Sequence, residues 1–219
     1  MPKRRAAILI SGRGSNMAAL IAAARASDFP AEIALVLANR PQAAGLAAAG
    51  AAGIPTAVVD HAGFGQDREG FERALQGELD ARRIEIVCLA GFMRLLTTWF
   101  VARWEGRMIN IHPALLPAFK GLDTHARAIA AGVKIHGATV HFVIPEMDSG
   151  PIILQGAVAV REDDTADALA ARVLAVEHKI YPAALRLLAE GRVHLADGRC
   201  RIDGACPDDR MLLAPAIGG

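Results

Sequence analysis

The sequence predicts an α/β fold, a Rossmann-like doubly wound sheet, mostly parallel, with an antiparallel hairpin at one edge. Three observations carry this. Five apolar runs, "AAILIS" (6–11), "EIALVLAN" (32–39), "TAVVD" (56–60), "EIVCLAGF" (85–92) and "RMINIH" (107–112), are separated by helical patterns. The runs are near-continuous rather than alternating, as in strands covered by helices on both faces. Beyond residue 132 the alternation stops. "GATVHFVI" (137–144) and "GPIILQGAVAV" (150–160) follow one another across the turn-rich "PEMDSG", which reads as the hairpin.

The helices have their own signatures. "NMAALIAAARAS" (16–27) follows a Gly-rich turn, and "PQAAGLAAAGAAG" (41–53) is opened by Pro41 and closed by Gly53. "DREGFERALQGELDARR" (67–83) sets Phe71, Leu75 and Leu79 on one face at i, i+4, i+8. Short helices are expected over "TWFVARW" (98–104) and "THARAIAAG" (124–132). A long amphipathic helix fills 165–191, with a kink expected before Pro182. "RVHLADGRCRID" (192–203) is a small terminal hairpin turning at Asp197-Gly198, and the tail after Cys206 carries too little pattern to assign.

At 219 residues the chain can bury one good-sized core, so residues 1–219 are read as one domain. A formal net charge of +1 gives no field for nucleic acid or an anionic membrane, and the basic "PKRR" start reads as a solvated tail. Cys88, Cys200 and Cys206 show no metal-type spacing, and their odd number suits a reducing compartment. Cys88 sits in an apolar run as a buried structural thiol. No apolar run reaches the roughly 18 residues a membrane helix needs. The apolar part of "MPKRRAAILIS" is too short for a signal peptide. The expectation is a soluble cytoplasmic protein, monomer or homodimer.

In open α/β sheets ligands gather beyond the carboxyl ends of the strands. Three conspicuous segments fall there: Gly12 to Asn16, Gly91 to Leu96, and Asn110 to Pro113. "SGRGSN" (11–16) brings two glycines, Ser15 and Asn16 to a helix N-terminus, equipment for an anion. It lacks the GK[ST] of a P-loop, and GxGxxG fails at Ala18. A tight turn with Ser15 as N-cap explains the loop equally well. "AGFMRLL" (90–96) surrounds Arg94 with Phe92, Met93, Leu95 and Leu96, either as core packing or as a pocket for a flat heterocycle held by the backbone of 93–96.

Asn110 and His112 lie two apart on one strand face, about 7 Å from each other. An amide beside an imidazole can stabilise an oxyanion and move a proton. Asp148 occupies a turn between strands; as a partner of His112 it would favour the imidazolium. Thr139 and His141 share a face and could support this set, whereas His61, His178 and His194 are placed on the surface. No metal spacing and no nucleophile elbow occur, which points to acid–base and oxyanion chemistry without metal or covalent catalysis.

Taken in order, "LISGRGSN", "LAGFMRLL", "INIHPALLPAFKG" and "HGATVHFVIPEMDSGPIILQ" closely resemble the phosphoribosylglycinamide formyltransferases, over about residues 6 to 190. The Asn-x-His and distal Asp-x-Gly pattern is shared by a wider superfamily that includes methionyl-tRNA formyltransferases and formyltetrahydrofolate hydrolases. "SGRGSN" and "HPALLPAFKG" favour the ribonucleotide enzymes. The resemblance implies formyl transfer from 10-formyltetrahydrofolate, the co-substrate, to phosphoribosylglycinamide in purine synthesis. It implies catalysis by Asn110, His112 and Asp148. Gly14, Ser15, Asn16, Pro113 and Glu177 would bind the ribonucleotide, and Arg68, Met93, Arg94, Leu95, Leu96, Asn110, Ile144 and Asp148 the folate. Residues 6–112 would be the nucleotide-binding half and 113–203 the folate-side half. Arg13 stands where some relatives carry Asn, and adds positive charge beside the phosphate cradle. The hydrolases typically carry an extra N-terminal domain, for which a strand beginning near residue 6 leaves no room. The tRNA-formylating enzymes expect a C-terminal RNA-binding domain, and only 28 residues follow Gly191. A non-enzymatic nucleotide-binding module would explain the glycine loop but leave Asn110, His112 and Asp148 without a purpose.

Overall fold

The computed structural model describes residues 2–205 and Ala214. Seven strands form the main sheet: β1 Arg4–Ile10, β2 Ala31–Ala38, β3 Thr56–Val58, β4 Ile86–Leu89, β5 Met108–His112, β6 Ile135–Phe142 and β7 Ile152–Ala159. Their order is β3-β2-β1-β4-β5-β6-β7. The first five pair in parallel; β6 runs antiparallel between β5 and β7. Six α-helices intervene or follow: α1 Ser15–Ala24, α2 Gly45–Ala51, α3 Arg68–Ala81, α4 Thr98–Arg103, α5 Thr124–Ala130 and α6 Ala166–Ala189. A two-stranded hairpin, β8 Val193–Ala196 with β9 Arg199–Ile202, comes after α6. This is the doubly wound sheet with an antiparallel edge that the alternation of runs predicts.

The central strands β1, β2, β4, β5 and β6 are buried on both faces, which is why they read as near-continuous apolar runs, whereas β3 and β7 at the two edges are partly exposed. Ala6, Ile8 and Ile10 of β1 face one core, with Met17 and Leu20 of α1 and Val173, Tyr181 and Leu185 of α6. Ala7 and Leu9 face the other, with Phe71, Leu75 and Leu79 of α3 and Phe100 and Trp104. Burying a leucine-sized side chain contributes about 1.5–3 kcal/mol. The α3 face also carries buried polar anchors that apolar patterning does not reveal. Glu72 accepts from the backbone N–H of Thr97 at 2.6 Å and from its hydroxyl, and Gln76 accepts the indole N–H of Trp104 at 2.9 Å.

Several boundaries differ from the sequence expectation. The "PKRR" start is not a free tail: Arg4 and Arg5 belong to β1 and pair with Glu85 and Glu32. Pro41 lies in a turn, and α2 begins only at Gly45, whose N–H donates to the Gly12 carbonyl at 3.0 Å. A Cβ at Gly45 would come within 2.6 Å of Ile10, so close packing on the β1 loop, rather than a proline signal, sets the start. His61–Phe64 forms a 3-10 turn that the sequence does not announce. Helix α6 runs unbroken from Ala166 to Ala189 with Pro182 inside it, and Val173, Tyr181, Leu185 and Leu188 are buried in the core beside the sheet. The terminal hairpin forms as expected, while the tail from Cys206 lies outside the described residues apart from Ala214.

Connection order reverses between β1 and β4. From β1 the chain steps outward to β2 and β3, then returns to β4 on the other side. A crevice opens at such a point, beyond the carboxyl ends of the strands. The loop after β1, the loop after β4 and the end of β5 all border it.

Candidate active site

The loop after β1 enters α1 through Gly14, the N-cap, with φ 75° and no side-chain cap. Ser15 is therefore the first helical residue and not the cap. The first-turn N–H groups lack intrahelical acceptors, as at every helix start, and so are available to an anion. They line a cleft of about 310 Å³ together with Arg13, Arg40, Ala90 and Gly91. Asn16 is buried at the base of this loop. Its Nδ2 donates to Glu177 Oε2 at 2.5 Å, while its Oδ1 has no partner. Burial pushes the Glu177 carboxyl above its ordinary range, and the Asn16 bond partly opposes that. Glu177, on α6, thus reaches the β1 loop across 161 residues of sequence.

The segment after β4 is tethered at three points. Ser11 Oγ accepts the Met93 N–H at 2.8 Å, Arg68 donates to the Leu95 carbonyl at 2.6 Å, and Glu72 holds Thr97. The Met93 amide and Leu95 carbonyl are thus already engaged with protein. That narrows the expected heterocycle contacts to the other backbone groups of 93–96. Met93 and Leu95 expose apolar side chains, at 63% and 66%, against a core-packing role for those two; Phe92 is buried.

At the end of β5, Asn110 pairs across the sheet with His141 and His112 with Thr139. Asn110 Nδ2 lies 3.2 Å from His141 Nε2, and His141 Nδ1 lies 2.8 Å from the Phe142 carbonyl. That carbonyl can only accept, so Nδ1 carries the proton and Nε2 of a neutral ring takes one from Asn110. Burial lowers the His141 pKa and keeps it in this neutral form. One Asn110 amide hydrogen is then fixed and the second is free for a ligand. The supporting shell expected of Thr139 and His141 takes this shape, with the Thr139 hydroxyl donating to the Ala114 carbonyl at 2.6 Å and accepting the Leu116 N–H at 3.0 Å.

His112 is nearly buried. Its Nε2 faces the Phe119 carbonyl at 3.0 Å and its Nδ1 faces Asp148 Oδ2 at 3.5 Å. Both nitrogens thus face acceptors. Asp148 sits in the turn after β6 with φ 50°, and its Oδ2 also accepts the Gly121 N–H at 2.9 Å. Lys120 donates to Ser149 at 2.6 Å, so the 113–122 segment is tied to the Asp148 loop at two adjacent residues. Pro113 turns the chain away from β5, its carbonyl taking the Thr124 hydroxyl at 2.7 Å. Ile144 lies in the half-buried loop beyond β6.

His125 escapes the sequence reading. Its ring packs edge-on against buried His136 with centroids 5.3 Å apart, and Phe119 covers His136 at 5.8 Å. Burial pushes His136 down to about 4, and His125 is lowered by burial too. Neither residue has metal-type spacing or a polar strand partner to betray it. His61 and His178 are half-buried rather than surface residues, and His61 Nδ1 lies 2.7 Å from the Asn39 carbonyl; His194 is exposed and meets Asp203 at 2.7 Å.

The formyl transferase family model matches residues 4–185. The phosphoribosylglycinamide formyltransferase of Escherichia coli is 42% identical over 197 residues, 90% of this chain and 92% of that protein. The chain belongs to the formyl transferase family. Human trifunctional purine biosynthetic protein adenosine-3 is 49% identical over 195 residues, 89% of this chain, which spans about a fifth (19%) of that protein's length. Among solved structures, glycinamide ribonucleotide transformylase 1 from Symbiobacterium toebii matches with a TM-score of 0.88 and 44% identity, covering 91% of this chain and 94% of that one. A formyltetrahydrofolate deformylase from Burkholderia mallei also matches, at 28% identity and a TM-score of 0.83, covering 91% of this chain and 70% of that one.

Proposed function

We propose that this chain transfers the formyl group of 10-formyltetrahydrofolate to the amine of 5-phosphoribosylglycinamide, a step of de novo purine biosynthesis. The observation that carries the reading is the juxtaposition on one sheet edge of an anion cradle and an amide–imidazole–carboxylate set. The two are separated by one intervening strand, β4, about 10 Å for two inter-strand steps. That leaves room for a sugar between a phosphate and a reacting amine.

In this mechanism Gly14, Ser15 and Asn16 hold the phosphate, while Glu177 and Pro113 border the rest of the ribonucleotide. The folate lies along Arg68, Met93, Arg94, Leu95 and Leu96, with Asn110, Ile144 and Asp148 at its reacting end. The amine attacks the formyl carbon, and a C–N bond forms. The free Asn110 amide hydrogen and protonated His112 stabilise the resulting oxyanion. Asp148 orients His112. The tetrahedral intermediate collapses by breaking the bond from carbon to the folate nitrogen, and a water relays the proton from the amine to that leaving nitrogen. Holding two substrates together supplies much of the rate, since effective molarities reach about 10⁵ M or more. We place this activity in the cytoplasm, in one domain spanning 1–219.

Folate deformylation followed spectroscopically, with and without phosphoribosylglycinamide, tests the assignment. Turnover only with the ribonucleotide is expected. Formate release that ignores it would transfer the reading to hydrolysis, and absence of turnover would leave a binding module.

A further inference from the structure

The phosphate cradle is short of positive charge. The N-terminus of α1 offers about half an elementary charge, whereas a phosphomonoester carries about −1.5 to −2 near neutral pH. The Glu177 carboxyl, joined to Asn16 at the base of the loop, adds no positive charge. Two guanidinium groups line the same cleft, Arg13 from the loop itself and Arg40 from the carboxyl end of the neighbouring strand β2. Among the described residues neither has a carboxylate within ion-pair distance. Arg4, Arg5, Arg82, Arg172 and Arg186 all do.

Arg40 is also held in place. Asn39, immediately before it and fully buried, donates its N–H to the Ile10 carbonyl at 3.4 Å, and its own carbonyl meets His61 Nδ1 at 2.7 Å. The Arg40 carbonyl closes the following turn by accepting the Ala43 N–H at 3.2 Å. Its backbone is thus anchored beside β1, leaving the exposed side chain at the cleft. A second, independent sign of a ligand is Asn16 Oδ1. It belongs to a residue that is only 9% exposed and borders the cleft, and it has no hydrogen-bond partner. An orphaned acceptor calls for an O–H or N–H from the bound molecule. Cations beside the cradle and an acceptor below it together fit a phosphomonoester that also carries hydroxyl groups.

We propose that Arg40 is a phosphate-binding, specificity-determining residue of this site, gripping the phosphomonoester dianion from the β2 side opposite the cradle, with Arg13 as the second cation. This rests on the ribonucleotide reading above and extends it to a residue on a strand that reading does not use. Arg40 acts on binding and not on the reacting carbon. Loss of one charge-assisted contact at an exposed site should weaken phosphate binding by about tenfold.

The test has two arms. In the first, inorganic phosphate is titrated into the wild type, Arg40→Gln and Arg40→Lys at constant ionic strength, following the Ser15 and Asn16 amide resonances. The expected result is about tenfold weaker binding in the glutamine variant and substantial recovery with lysine. Equal binding by all three, or none by the wild type, overturns the proposal. In the second arm, KM for phosphoribosylglycinamide should rise by a similar factor in Arg40→Gln while kcat and the KM for the folate hold. With the same acceptor lacking its phosphate, wild type and variant should coincide. An equal loss on both acceptors also overturns the proposal. The arms separate two failures: phosphate binding that depends on Arg40 in a wild type showing no ribonucleotide-dependent transfer would refute the proposed acceptor and leave Arg40 as an anion site.

Discussion

Replacing Gly150 with alanine should disconnect the proposed catalytic set without altering any member of it. A Cβ at this position would lie 1.8 Å from the Phe142 carbonyl oxygen and 3.4 Å from His141 Nδ1. Contacts under 3.0 Å are not tolerated, so one side must retreat by about 1.2 Å. The Phe142 carbonyl is the anchor of His141 Nδ1, and the Phe142 N–H is bonded to the Pro151 carbonyl at 2.9 Å. Asp148 lies two residues before Gly150 in the same turn. The retreat therefore either draws Asp148 from His112 or releases His141, and with it Asn110. A misplacement near 1 Å can cost about 10² in rate, so kcat should fall roughly a hundredfold. The overpacking should cost about 1–3 kcal/mol of stability, lowering Tm by roughly 3–10 °C in a chain of this size, so the variant stays folded at 25 °C. Steady-state kinetics beside calorimetric binding of phosphoribosylglycinamide gives the readout. Turnover within threefold of wild type would refute the reasoning, as would a loss of ribonucleotide affinity as large as the loss of turnover.

Asn110→Ala and His112→Ala should each lower turnover by about 10²–10³-fold, the scale of an oxyanion donor, with ribonucleotide affinity changed by less than threefold; near-normal turnover in both would dismantle the catalytic assignment. The buried histidines make a pH prediction. His136 is held neutral with a pKa of about 4, below the unfolded value near 6.5. Between these limits the unfolded chain binds more protons, so the contribution is present above pH 6.5 and is lost as pH falls toward 4. The contribution is about 3 kcal/mol at most, and His125 and His141 shift in the same direction. Denaturant midpoints measured across this window should fall less steeply for His136→Gln than for wild type, and parallel curves would contradict the account.

What the sequence makes legible follows from which forces act locally. Strands β1, β4 and β5 are readable because burial on both faces leaves long apolar runs. The Gly12–Asn16, Gly91–Leu96 and Asn110–Pro113 segments are readable because topology places the carboxyl ends of parallel strands together. The start of α2 is not, because Pro41 is a genuine local signal overruled by the packing of Gly45 on Ile10. Arg4 and Arg5 look like a solvated tail until partners on β2 and just before β4 are known. Glu72 and Gln76 are invisible for the same reason: a charged or amide residue on a helix has the same sequence appearance whether it meets water or a distant partner. His125 and His136 form their pair only when α5 comes beside β6, a proximity that residue spacing does not encode. The contact between His112 and Asp148 belongs to this class too, joining residues 36 apart at 3.5 Å.

The central claim is that Asn110, His112 and Asp148 deliver a formyl group directly to an amine held by its phosphate. Supplying 10-formyltetrahydrofolate with a ¹³C-labelled formyl carbon and following the reaction by NMR tests it most directly. The account predicts a formamide signal on the glycinamide nitrogen, growing in step with tetrahydrofolate and absent when phosphoribosylglycinamide is withheld. Label emerging as free formate at the same rate with or without the ribonucleotide would contradict it.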